Sequence, residues 1–295
     1  MLFVLALFWG SSFLFVEVAL RDVSPLALIA ARTALAALTL AAIVFARGPR
    51  REATALLRRH LGPLAVMGVL SGAVPFFLIA WGQQYIDSGF AAILNASAPL
   101  WTALLALVFV RAEAVTGVRL GGFVLGFAGV VVLVGASPSG GGRALLGSLA
   151  IVASAVCYAT TALFVVRRLT DLPPALVALG TMSFAALFTL GPGLAQLPAD
   201  APGWKATASL VGLGAGGTAF ASLLYFGLIA EAGAPSAMLV TYLVPTTALV
   251  WGVTLLGEPL TAAALTGLAL VLGGVALGTG AIRGRARVPP ASEQP

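Results

Sequence analysis

Two charged residues stand where charge is most expensive. Glu17 and Arg32 interrupt long apolar runs, residues 2–20 and 25–46. A charge at the centre of a membrane span costs about 2.5–3.5 kcal/mol on insertion scales, so such residues face a cavity or one another. The two runs are joined by a short turn, and helical rise sets Arg32 about 7 Å deeper than Glu17. Two long side chains can bridge that gap. Three chemistries fit the pair: an ion pair locking one helix to the next, a Glu17 carboxylate that binds a proton or a substrate amine, or snorkelling of both groups to the surface.

Aromatic and hydroxyl residues recur in register elsewhere. Trp9 and Ser12 are three residues apart, as are Tyr158 and Thr161, so each pair shares a helical face. Trp81 answers to Tyr225, and Asn95 to Thr241. Such side chains offer ring faces and hydrogen bonds to a small polar ligand. They do not assemble a catalytic dyad or a metal site. The chain has one cysteine, Cys157 in an apolar run, and one histidine, His60, read as a solvated loop residue beside Arg58 and Arg59. No Gly-x-x-x-x-Gly-Lys-Ser/Thr loop is present, so ATP is not the direct energy source. No cofactor or metal is expected, and the chain reads as a non-enzyme.

The elements that must position these residues are membrane helices. The chain is 60% hydrophobic and 9% charged, against about 25% charged in soluble domains. Ten apolar spans follow, at 2–20, 25–46, 62–86, 89–110, 117–136, 144–167, 173–195, 205–230, 234–256 and 261–282. The first span lacks the basic flank and cleavage site of a signal peptide and is kept as a helix. Its start almost at Met1 leaves open whether the natural N-terminus lies further upstream. Pro75, Pro99 and Pro245 fall inside spans, where a missing N–H kinks a helix and frees a carbonyl. Trp251 has the apolar Leu105 as its counterpart and reads as lipid-facing.

The spans are duplicated. Pro99 falls on Pro245 at an offset of 146, while Glu113, Thr116, Gly122 and Gly129 fall on Glu258, Thr261, Gly267 and Gly274 at 145. Asp22 and Pro25 fall on Asp171 and Pro174 at 149, and Gly68, Gly72 and Phe76 on Gly212, Gly216 and Phe220 at 144. Residues 1–136 and 144–282 are therefore two five-helix repeats, with 137–143 as linker and 283–295 as a polar tail expected to be disordered. Five helices per repeat invert the second against the first, an arrangement that places a transport site between the halves. With the N-terminus inside, twelve basic loop and tail residues are cytoplasmic and Arg21, Arg143 and Lys205 are outside. That sets both termini in the cytoplasm by the positive-inside rule. The same rule accounts for the net charge of +6 without nucleic acid. Glu113 and Glu258, each three residues before a Thr, read as caps at the starts of the fifth and tenth helices. Those two helices are Gly-rich and could pack within the bundle or against another protomer, as monomer or homodimer.

These motifs resemble the EamA family of the drug/metabolite transporter superfamily: Trp9-Gly10-Ser11-Ser12, Ser24-Pro25 with Arg32, Ala91–Pro99–Glu113, Ala237–Pro245–Glu258, and Gly122, Gly129, Gly267 and Gly274. The resemblance covers nearly the whole chain. It implies an all-α polytopic fold of ten transmembrane helices in two inverted repeats. It also implies movement of small metabolites, often outward, with amino acids and drug-like compounds as typical cargo. The family often carries a Lys near the outer end of the first helix, where this chain has Glu17. The expected function is amino-acid or zwitterion export across the cell (inner) membrane by alternating access, with the proton as a candidate coupling ion. Trp9, Ser12, Tyr158 and Thr161 would line the centre, Trp81 and Asn95 an outer gate, and Tyr225 and Thr241 an inner one. The alternatives are a drug or toxic-compound exporter and, from another class, a passive channel or membrane scaffold.

Overall fold

The computed structural model describes residues 1–109, 117–135 and 141–278. Glu113, Thr116, most of the linker and the tail lie outside the described residues. Within them the chain is helical, with no strand. Eight helices are long and apolar enough to cross a membrane. They are α1 (Leu2–Ala19), α2 (Pro25–Arg47), α4 (Leu61–Gly82), α5 (Ser88–Phe109), α6 (Val118–Gly135), α7 (Gly142–Arg168), α8 (Pro174–Leu194) and α9, whose apolar stretch is Trp204–Tyr225. Two shorter apolar helices follow, α10 (Val240–Leu256) and α11 (Ala262–Gly278). A short polar helix, α3 (Arg50–Arg59), buries no residue and occupies a stretch that periodicity left as loop.

Local signals set the helix ends. Ser24 Oγ accepts from the Ala27 amide at 3.3 Å with Pro25 in the first turn of α2, pairing an amide that a helix start leaves orphaned. Thr261 caps α11 in the same way through the Ala264 amide at 3.1 Å. Gly257, at φ +72°, ends α10 in the left-handed conformation that favours glycine. One boundary differs from the sequence reading. A break was expected near residue 233, but helix continues over Ala221–Met238 and yields at Leu239. Glu231 and Ser236 are the only polar residues between Tyr225 and Thr241. Backbone groups there pair within the helix, where an apolar loop would leave them unmet.

Glycines bring the helices together. Gly122 and Gly129 of α6 lie against Leu277 and Leu270 of α11, and Gly274 lies on Gly126. The two Gly-rich helices thus pack on each other within the chain. Gly68 and Gly72 of α4 meet Phe184 and Ala185 of α8, while Gly214 of α9 meets Leu35 of α2. Gly82 of α4 meets Gly147 of α7, while Gly212 and Gly216 of α9 meet Phe15 and Phe8 of α1. At the level of helix pairs each contact has a counterpart when the halves are exchanged, α4–α8 with α9–α2 and α4–α7 with α9–α1, although the repeat-related Gly68 and Gly212 face different helices. Loops follow the same rule: Asp22 Oδ2 accepts from the Gly203 amide at 2.8 Å, and its repeat partner Asp171 meets His60 Nε2 at 3.2 Å. His60 is therefore tethered between loops, with Nδ1 also 2.9 Å from Leu56 O; it is not the freely solvated residue expected.

The helices are not uniformly α-helical. Wider π-helical turns occupy Gly68–Ala73 of α4, Gly212–Phe220 of α9 and Gly252–Leu256 of α10. Such turns concentrate at functional sites, and the first two lie at matched repeat positions.

Candidate functional site

Several polar side chains meet across the seam between the two halves. Pro75 supplies the first piece. It has no N–H, so the π register of the preceding turn leaves the Leu70 carbonyl, five residues back, without its donor. Thr161 Oγ1 of α7 approaches that carbonyl at 3.1 Å, and its own Cys157 O at 2.9 Å. The kink in one half is thus met by a hydroxyl from the other. Ser12, the repeat partner of Thr161, is in the mirrored place: it bonds Phe8 O at 3.0 Å, and its Oγ fills the space beside Gly217 in the π segment of α9.

Arg32 lies nearby and is 7% exposed. Its Nε donates to Thr218 Oγ1 at 2.9 Å, and its guanidinium sits 3.7 Å above the centre of the Phe76 ring. Thr218 is fixed as an acceptor because its own hydroxyl donates to Leu213 O at 2.8 Å, a bond five residues long inside the π segment. Tyr158 of α7 lies within electrostatic range of Arg32. The expected bridge to Glu17 is not formed. Glu17 turns toward Gln83, with Glu258, Asp87 and Arg21 in electrostatic range. The depth difference is met by separate partners, because α9 and α4 supply a hydroxyl and a ring closer to Arg32 than the carboxylate is.

At the Glu17 end of the bundle, Glu258 accepts from the amides of Ser88 and Gly89 at 2.8 and 3.0 Å. An anion on exposed amides at a helix start is favoured by both hydrogen bonding and the helix dipole. Glu258 therefore caps α5, a helix of the other half, while Thr261 caps its own. Close by, Gln83 Nε2 donates to Phe13 O at 3.0 Å. Three oxygens at this end, Glu17 Oε2, Gln83 Oε1 and Ser88 Oγ, are buried without a hydrogen-bond partner. Burial holds the Asp87 carboxyl above the ordinary aspartate range, and Glu258 adds to the effect.

The aromatic residues group differently from their repeat register. Trp9 packs on Tyr225 with ring centres 5.3 Å apart, and Trp81 packs edge-on to Tyr85 at 5.0 Å. Trp9 thus joins a residue expected at a separate constriction. Asn95 Oδ1 accepts from Ser154 Oγ at 3.1 Å across α5 and α7. Thr241 is half-buried near the start of α10. Pro99 follows a break at Ala96–Ser97 that splits α5, and buried Pro245 sits inside α10. Trp251, read as lipid-facing, is half-buried, and its indole nitrogen is buried. Thr218, Phe76, Gln83 and Ser88 were not singled out from sequence. The repetition of Phe76 as Phe220 was the one signal available for any of them.

One family matches the chain twice: the EamA-like transporter family, over residues 1–135 and again over 145–279. An uncharacterized transporter of Archaeoglobus fulgidus is 29% identical over 91% of this chain and 93% of its own. A protein of Streptantibioticus cattleyicolor described as a probable terminal-alkyne amino-acid exporter is 31% identical over 91% and 89%. The uncharacterized transporter YoaV of Bacillus subtilis is 22% identical over 92% and 93%. A crystal structure shares the fold with a TM-score of 0.67, covering 96% of both chains at 22% identity.

Proposed function

We propose a function from one premise: this chain belongs to the EamA-like transporter family. It is a multi-pass membrane protein, and it acts as a secondary transporter that exports small metabolites, amino acids or related zwitterions first. All ten apolar helices cross the membrane, and residues 1–136 and 144–282 are inverted repeats that rock about the seam. The observation that carries this reading is the exchange pattern of the packing. The contact of α4 with α7 answers that of α9 with α1, and α4 with α8 answers α9 with α2. Two halves with equivalent contacts can exchange conformations at little cost, and that exchange is what alternating access requires.

The end holding Glu17 and Glu258 is the outer face. Arg21, Arg143 and Lys205 are the basic residues there, while Arg47, Arg50, Arg51, Arg58, Arg59, Arg119, Arg167 and Arg168 gather at the other end, as the positive-inside rule expects of a cytoplasmic face. Both termini are then cytoplasmic. Trp9, Ser12, Tyr158 and Thr161 line the central site. Trp81 and Asn95 stand toward the outer constriction and Thr241 toward the inner one, while Tyr225 packs on Trp9 between the centre and that inner constriction. Glu17 is the candidate proton carrier. The amino-acid cargo is supported by the relative described as a probable amino-acid exporter.

Counterflow in proteoliposomes with a panel of labelled amino acids, run with and without an imposed pH gradient, tests the reading. Saturable counterflow of one amino-acid class is the expected result. Absence of flux for every amino acid would overturn the cargo assignment.

A further inference from the structure

Arg32 has far more donor capacity than the protein uses. A guanidinium offers five N–H groups. Nε engages Thr218, and Phe76 covers one face. The four N–H groups on the terminal nitrogens have no hydrogen-bond acceptor among the described residues, and no carboxylate lies within ion-pair distance of them. Leaving a 7% exposed cation in this condition is costly inside a bundle. A lock between helices would be made with a paired carboxylate. The protein instead spends Thr218 and Phe76 on fixing the orientation of the fork and leaves its outer edge unfilled.

The neighbours narrow what fills it. Arg32, Phe76, Tyr158 and Thr218 come from α2, α4, α7 and α9, two helices from each half, so the fork points into the seam. Among the described residues it is the only Lys or Arg buried from solvent. One cation with Phe76 on its face and Tyr158 in electrostatic range balances one negative charge, and a planar fork matches the two oxygens of a carboxylate. A phosphate, with more charge, calls for a second base that this site does not provide.

We propose that Arg32 is the carboxylate-binding subsite of the transporter, engaging the substrate carboxylate through its terminal nitrogens while Thr218 and Phe76 hold the guanidinium in place. This rests on the zwitterion-export reading above for the identity of the cargo, but not for the carboxylate itself.

The test compares acids with their amides on the purified full-length protein. In counterflow of a transported amino acid, the unlabelled amino acid and its des-amino carboxylic acid should inhibit. The primary amide and the decarboxylated amine should inhibit about 10- to 100-fold less well. Arg32→Gln should abolish that discrimination, and Arg32→Lys should keep part of it. Thermal unfolding in detergent with acetate, propionate and benzoate against their amides gives a second readout that needs no transport. Acid-specific stabilisation of the wild type that is lost in Arg32→Gln, in a protein that moves no amino acid, would sustain the subsite and sink the amino-acid reading. Equal effects of acids and amides on the wild-type protein would overturn the subsite, as would undiminished acid preference in Arg32→Gln.

Discussion

Glu258 reaches across 170 residues of sequence to accept a hydrogen bond from the Ser88 amide at 2.8 Å. With the companion bond to Gly89, it ties the end of α10 to the start of α5 and so closes the seam at one end. Hydrogen bonds to a charged acceptor contribute about 1.5–3 kcal/mol each. Glu258→Gln retains the shape and loses the charge. It should lower stability in detergent by about 1–3 kcal/mol and open this end more often. A membrane-impermeant maleimide applied from outside should then label Ile86→Cys, placed in a Cys157→Ser background, faster than with Glu258 intact, since Ile86 is buried here. An unchanged labelling rate would show that the cap does not gate this end.

The duplication, the apolar spans and the Gly-rich pair were legible because membrane helices write themselves as long runs and repeats write themselves as fixed offsets. Trp9, Ser12, Thr161 and Arg32 could be picked out as polar or aromatic residues in apolar surroundings. Their partners could not. Which carbonyl Thr161 meets depends on the π turn at Gly68–Ala73, and no periodicity in the sequence marks an extra residue in a turn. Glu17 and Arg32 were read as neighbours because the chain makes them so, yet the bundle turns Arg32 toward Thr218 of α9. Glu258 was assigned to the helix that follows it. Helix-start signals are local, whereas its actual partners belong to the other half.

The Thr161 hydroxyl and the Leu70 carbonyl offer a separate test. Removing the hydroxyl leaves a buried acceptor without a donor, which costs about 1–3 kcal/mol. Thr161→Val, close in shape, should therefore lower the thermal midpoint, whereas Thr161→Ser should stay near wild type. Equal midpoints for the two variants would mean that the carbonyl freed by Pro75 finds another donor.

Asp87 gives a pH dependence with a defined sign. Its carboxyl is held above the ordinary aspartate range, chiefly by burial and secondly by Glu258. The folded chain therefore binds this proton more readily than the unfolded chain does. Stability should fall as pH rises from about 3.9, the unperturbed aspartate value, through the raised one. Asp87 makes no side-chain capping bond at the start of α5, so Asp87→Asn removes the charge without removing a bond. Unfolding midpoints measured across pH should be flatter in Asp87→Asn than in wild type over that window. A steeper profile in the variant would contradict the burial argument.

Glu17 carries the coupling prediction. Its Oε2 is buried with no hydrogen-bond partner, and two further carboxylates, Glu258 and Asp87, lie within electrostatic range against the single opposing charge of Arg21. An ionised Glu17 repels the carboxylate that closes the seam, and a protonated one does not. Proton binding should thus favour the closed seam that Glu258 makes with Ser88 and Gly89, and proton release should favour its opening. Glu17→Gln fixes the neutral form. In proteoliposomes it should abolish transport driven by a pH gradient while leaving substrate exchange intact, because exchange needs the halves to rock but needs no net proton movement. Transport in Glu17→Gln that still follows the pH gradient would remove Glu17 from the coupling step. Loss of exchange together with driven transport would assign it to the transport pathway itself.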